Sequence, residues 1–199
     1  MDHAESSYAI DPDTYAVMFK KELLKLDSIN RDAVTWLWFD HDLFCQVNLW
    51  WVAYKLIGRK YSGKAHLCLP STASEVIWQG FATYDASQLS SFQTNATLLA
   101  PRELRCLSKC WTAYTRKDYH RLRILLKEIT PFFPFAIEHV DGLELLDAFN
   151  AKVGPIYMWL QAHKEQNFLS LYHKFYENFG YLGLGDSQVK RMLKNVDSQ

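Results

Sequence analysis

The feature that most constrains this chain is the run Ala33-Val-Thr-Trp-Leu-Trp-Phe39, which ends at Asp40-His41-Asp42. Seven mostly apolar residues, rich in β-branched and aromatic side chains, leave no polar face for water. Such a run reads as a strand buried on both faces, of the kind found inside α/β sheets. Leu43 to Ile57 continues at helical spacing. Leu43, Val47, Trp50, Trp51 and Tyr54 are expected on one face, and Gly58 is expected as the stop. Gly63-Lys64 leads into a second strand, Ala65 to Leu69, closed by Pro70. Strand, helix and strand at these lengths predict parallel neighbours. Upstream, Asp11-Pro12-Asp13 signals a helix over about 13–27, with Tyr15, Met18, Phe19, Leu23 and Leu26 at helical spacing.

After Pro70 the character changes. Residues 71–84 read as a loop, with Val76-Ile77-Trp78 briefly extended. Asp85 caps a helix over 86–93, Pro101 opens one running to Thr115, and Asp118 caps another to Ile129. Pro131 and Pro134 bracket an apolar patch from Phe132 to Ile137. Further helices are expected over 143–150, 155–164, 167–179 and 187–195, and no strand is expected beyond residue 85. The expected fold is an α/β N-terminal part, 1–84, with a short parallel sheet and flanking helices. An all-helical part, 85–199, follows. The two pack as one unit that is predominantly helical overall.

Composition narrows the function classes. The 199 residues carry 22 Lys plus Arg against 22 Asp plus Glu. A zero balance argues against a protein whose main task is gripping nucleic acid or an anionic membrane. No apolar run is long enough to span a bilayer, because Gln46, Asn48 and Lys55 interrupt the longest. The polar, acidic stretch Met1 to Ser7 does not read as a signal peptide. Cys45, Cys68, Cys106 and Cys110 include no C-x-x-C pair, so they read as reduced thiols of a cytosolic protein. Aromatic residues make up 15 % of the chain, enough to fill a core and also to supply an aromatic surface for a protein partner or self-association.

Asp40-His41-Asp42 lies where α/β proteins place their chemistry, at the carboxyl end of a parallel strand and the start of the next helix. Two carboxylates there suit Mg²⁺, which takes one or two carboxylates plus water, or the hydroxyls of a nucleotide-like ligand. Asp40, His41 and Asp42 are the candidate catalytic residues, with His41 as a general base. Asp40 and Asp42 are the candidate metal ligands. Gln46, one turn on, and Asn48, about two turns from His41, are the candidate ligand-binding amides. The simpler role for Asp42 is an N-cap, and the two roles are compatible. A bare phosphate cradle is disfavoured, since no glycine is present and two negative charges occupy the helix start.

The stretch Trp36-Leu-Trp-Phe-Asp-His-Asp-Leu-Phe-Cys-Gln-Val-Asn-Leu49 resembles a bacterial family, domain of unknown function 1835, through Trp38, Phe39, Asp42, Leu43, Gln46, Asn48 and Leu49. Asp85-Ala-Ser-Gln-Leu89, Trp111-Thr-Ala-Tyr114 and Gly183-Leu-Gly-Asp186 are similar to later family motifs. The likeness spans about residues 13–195 and implies a bacterial, cytoplasmic protein, with no activity to carry over. Members of that family usually open with a strand and a Gly-Asp-Ser turn. The resemblance therefore implies a shortened member or a fragment, in which a site shared with Asp42 would be incomplete. Asp40-x-Asp42 with Gly185-Asp186-Ser187 also looks like the motif pair of haloacid-dehalogenase-like phosphatases. It departs from them at Phe44, where Thr or Val is expected, and at Lys190, where an acid is expected.

Two other function classes stand beside ligand binding. One is a non-enzymatic protein–protein interaction module. The other is a DNA-binding regulator, since helix 167–179, Gly180 to Gly185 and a basic helix with Lys190, Arg191 and Lys194 outline a helix-turn-helix.

Overall fold

The computed structural model describes residues 12–73, 77–129 and 133–197. Asp11 of the first helix signal, Val76, Pro131 and Phe132 lie outside the described residues. The first helix, α1 (Pro12–Asp27), leads through a short turn into β1 (Val34–Trp38). Next come α2 (Leu43–Gly58) and β2 (Lys64–Cys68), which pairs with β1 in parallel, Trp36 opposite His66. Two 3-10 turns follow over Ile77–Thr83, joined at Gly80. The sequence expectation of an extended Val76-Ile77-Trp78 therefore fails at Ile77 and Trp78. The chain must bend sharply there to lay Phe81 against Trp38, ring centroids 5.1 Å apart.

Helix α3 (Ala86–Thr94) starts from Asp85 in a reciprocal capping box with Gln88. A third strand then appears where none was expected: β3 (Thr97–Leu99) pairs antiparallel with β2, Leu98 opposite His66. Three residues carry no readable period, so β2 creates this strand by offering it an edge. The sheet is mixed, in the order β1-β2-β3.

Helices complete the chain: α4 (Pro101–Thr115), α5 (Tyr119–Glu128), α6 (Ala136–Asn150), α7 (Gly154–His163), α8 (Phe168–Phe179) and α9 (Asp186–Asp197), with a 3-10 turn Gly180–Leu182 before α9. Helix α6 begins seven residues before the expected 143, because Ala136, His139 and Val140 give its first turns a buried face. The fold is an α/β N-terminal part followed by helices, predominantly helical overall. No helix among the described residues is long and apolar enough to cross a membrane.

The sheet has one covered face. Leu37, Ala65, Leu67 and Leu99 are buried, and α2 packs along α4 and α4 against β3. The opposite face carries Val34, Trp36, Lys64, His66 and Leu98. There Val34, Trp36 and Trp38 are 56 %, 40 % and 36 % exposed. The expectation of a strand buried on both faces is thus corrected. β1 is an edge strand with one face toward solvent, where Trp36 stacks on His66 and Trp38 meets Phe81 edge-on.

Helix α2 also sits differently from its expected face. Leu43, Gln46, Leu49, Trp50, Ala53 and Leu56 are buried, whereas Tyr54 is exposed. The rotation takes Gln46 inside, where its Nε2 donates to the Asp40 carbonyl at 2.7 Å. Helices α4 to α7 pack in chain order, and α9 closes on α7. The turn 180–182 touches α2, α6 and α8, which brings the C-terminal part onto the end of β1.

Candidate functional site

The end of β1 and the start of α2 are fixed by side chains from the whole length of the protein. Asp42 has extended backbone, and its Oδ1 accepts from Cys45 N at 2.9 Å, the N-cap role expected from the sequence. Asp40 Oδ1 accepts from Phe81 N at 2.9 Å, which ties the strand end to the 3-10 turns. Two glycines in the left-handed region press on these carboxylates. A Cβ on Gly80 (φ 58°) would overlap the Asp40 carboxylate, and one on Gly183 (φ 69°) would overlap that of Asp42. Only glycine combines that conformation with so close an approach.

The cluster this builds is Asp40, Asp42 and Cys45, whose potential ligating atoms all lie within 4.8 Å of one another. Burial raises the Asp40 pKa, opposed by the Phe81 hydrogen bond and reinforced by Asp42. Burial, with the nearby Asp42 charge, pushes the Cys45 thiol up to about 12. The Tyr176 phenol is likewise held up, at about 12, by burial and then by Tyr172, Asp42 and Asp40. Burial is the first cause in all three and neighbouring carboxylate charge adds to it, and a cation would relieve that charge. The Tyr176 hydroxyl and Gln46 Oε1 are buried and make no hydrogen bond within the protein. Buried polar atoms of that kind mark a place where a ligand or water completes the set.

Of the sequence candidates, Asp40, Asp42 and Gln46 come together. His41 does not join them. Its ring is buried, with Nε2 2.9 Å from the Pro70 carbonyl and its edge against Phe135. Its own carbonyl lies 2.7 Å from His139 Nε2. Burial lowers the pKa of His41 and pushes that of His139 down to about 4, so both rings are neutral at pH 7. His41 is a structural pin between three segments. Asn48 is also absent from the cluster. Its Nδ2 bonds back to the Phe44 carbonyl one turn earlier, which satisfies the amide locally.

Lys190 lies 3.7 Å from Asp186 and over the Phe168 ring. Arg191 and Lys194 are exposed on the same helix. Asp186 is spent at the start of α9, where Oδ1 accepts from Ser187 N, and is not part of the cluster.

Sequence reasoning missed Cys45, Gly80, Tyr176 and Gly183. Cys45 had a signal, since three residues past an N-cap lies on the same side of the helix. Gly80 and Tyr176 come from distant segments and left none, and Gly183 stood out only in the family-like motif Gly183 to Asp186, with nothing to place it against Asp42. Comparison of the chain with protein-family models, with curated proteins and with solved structures gives no match.

Proposed function

We propose that the protein binds a divalent cation at the end of β1, on the carboxylates of Asp40 and Asp42. The observation that carries this is the convergence of three ligating groups within 4.8 Å, held by two glycines and flanked by buried polar atoms without partners. Mg²⁺ or Mn²⁺ would use the two carboxylates plus water. A borderline ion such as Zn²⁺ or Co²⁺ would also recruit Cys45, displacing its thiol proton. Gln46 Oε1 and the Tyr176 hydroxyl, buried and without partners in the protein, would hold bound water or a substrate oxygen. An anionic, nucleotide-like ligand would reach this helix start only through the cation, because Asp42 already occupies it. A reducing compartment such as the bacterial cytoplasm would keep Cys45 available. Kinship with domain of unknown function 1835 belongs to the same proposal and rests on the strand-end sequence Trp38 to Leu49.

The test is a thermal-shift titration with Mg²⁺, Mn²⁺, Zn²⁺ and Co²⁺. At one hundred times its dissociation constant the ion should stabilise the fold by about 2.7 kcal/mol. Asp42→Asn separates the two roles of this residue. Asparagine caps a helix about as well as aspartate, so the apo protein should melt within about 0.5 kcal/mol of wild type while the ion-induced shift disappears. Asp42→Ala should lose the cap as well, about 1 kcal/mol. An Asp42→Asn protein that keeps the full shift would overturn the site. With Co²⁺, a thiolate charge-transfer band absent from Cys45→Ser would place the sulfur on the metal.

A further inference from the structure

The end of the sheet away from the acidic cluster holds a second recess. A cavity of about 410 Å³ lies between the start of β2, the end of β3, Ile57 of α2 and the first turns of α4. Sites that bury a small organic molecule measure about 300–1,000 Å³, with apolar walls and a few fixed polar groups. The floor here is apolar, since Ala65, Leu99 and Leu104 line it and are themselves buried. It is therefore a hollow in the core's own surface rather than a flat face.

One wall is fixed by the protein. Ser62 N and Gly63 N donate to the Arg31 carbonyl at 2.7 and 2.9 Å, and the Tyr61 hydroxyl donates to the Ala33 carbonyl at 2.8 Å. Gly63 lies so close to the Ala33 carbonyl that a Cβ there would overlap it. These contacts hold residues 61–63 in place before anything binds, so a ligand would not have to order them.

The polar groups of the recess are of one sign. Lys64 and Arg105 line it, and no Asp or Glu among the described residues does. Lys64 opens β2, just before Ala65, which pairs with Leu99. Arg105 stands one turn after Pro101 on α4. Neither cation has a hydrogen-bond or ion-pair partner among the described residues. Nearby cations do: Lys55 and Arg59 share Asp27, and Arg102 reaches Glu128. Glu103, the acid nearest to Arg105 in sequence, is engaged on Ala100 N at 2.6 Å. An apolar hollow with two unspent cations is complementary to a molecule with an apolar body and a negative head. A guanidinium fork matches a carboxylate through two parallel charge-assisted bonds.

We propose that this recess binds a medium-chain fatty carboxylate, with its head group on Arg105 and Lys64 and its chain over Leu99 and Leu104. The site is separate from the cation site. It opens at the first residue of β2, whereas Asp40 and Asp42 follow the last residue of β1, the strand parallel to it.

Isothermal titration calorimetry of the whole chain with decanoate, without metal, tests the proposal. Decanoate should bind. Decanol, which keeps the chain without the charge, and acetate, which keeps the charge without the chain, should each bind at least about tenfold more weakly. Arg105→Gln should weaken decanoate by about tenfold, the value of one charge-assisted hydrogen bond, and leave decanol unchanged. Lys64→Gln should act in the same direction. Both side chains are exposed, so both variants should keep the circular-dichroism spectrum of wild type. In amide nuclear magnetic resonance spectra, decanoate should move the signals of Gly63, Ala65 and Leu104. No heat with decanoate overturns the proposal, and so does decanol binding as tightly, which would make the recess a merely greasy one. Full affinity in Arg105→Gln, or signals that move elsewhere, would overturn it as well. A titration without metal at this end of the sheet fails or succeeds independently of the cation site.

Discussion

Gly183→Ala should destabilise the fold by on the order of 3 kcal/mol, a large share of the stability of a domain this size. An L-residue in the left-handed region costs about 1–2 kcal/mol. The added Cβ would overlap the Asp42 carboxylate and displace the cap of α2, worth about 1 kcal/mol more. Urea unfolding monitored by circular dichroism measures the sum. Two companions divide it. Gly183→Asn tolerates the positive φ but keeps the overlap, so it should recover the backbone part and leave the about 1 kcal/mol of the displaced cap. Gly58→Ala, where a Cβ meets nothing within 4 Å, should be neutral or mildly stabilising, since glycine within a helix is unfavourable relative to alanine. If Gly183→Asn behaves as wild type, the backbone conformation is the whole effect and the close approach to Asp42 carries no energy.

Acidification should cost the protein about 3 kcal/mol between pH 6.5 and pH 4 through His139 alone. Its ring is 2 % exposed, and burial holds its pKa near 4 against 6.5 for a free imidazole. The folded state therefore keeps it neutral through that interval, while the unfolded chain takes up a proton. The unfolded state binds more protons there, so stability is complete above pH 6.5 and falls as pH drops toward 4. Below about pH 4 both states are protonated and this contribution is flat. The difference between about 4 in the folded protein and 6.5 in the free imidazole corresponds to about 3 kcal/mol. His41, lowered by the same cause, acts in the same direction. Asp40, raised by burial, acts oppositely, gaining stability as it protonates. His139→Gln retains a donor for the His41 carbonyl and removes the titration. Its unfolding free energy should change with pH by about 3 kcal/mol less than wild type over the same interval. An identical pH slope in the two proteins would remove His139 as the source.

Local chemistry explains what could be read from the sequence. Asp42, Asp85 and Asp118 each cap the helix that their position announces, because a short acceptor before an apolar-periodic segment acts within three residues. Pro101 opens α4, and Val34–Trp38 and Lys64–Cys68 pair in parallel around α2. That Asp40, Asp42 and Gln46 lie together was legible because strand end, cap and first turn are neighbours in the chain. The same local logic failed at Asn48, whose amide finds a backbone partner within its own helix, and at His41, whose ring is captured by Pro70 from another segment.

The β1–α2–β2 order, the capped starts of α2, α3 and α5 and the acidic strand end were thus determined by the sequence alone, through interactions that span a few residues. Tertiary structure decided which face of β1 is covered, because burial depends on what lies opposite, and the covered face is the one that joins the common core with α2 and α4. It made β3 a strand, because three residues pair only when β2 presents a partner edge. It also completed the site. Gly80, Tyr176 and Gly183 stand 38, 134 and 141 residues from Asp42 in the sequence, and no period or spacing links them. Gly80 meets Asp40 because the turns at 77–83 close on the strand end, and Gly183 meets Asp42 because the turn at 180–182 packs between α2, α6 and α8, which brings a glycine without a side chain to the one place where Asp42 leaves room for none.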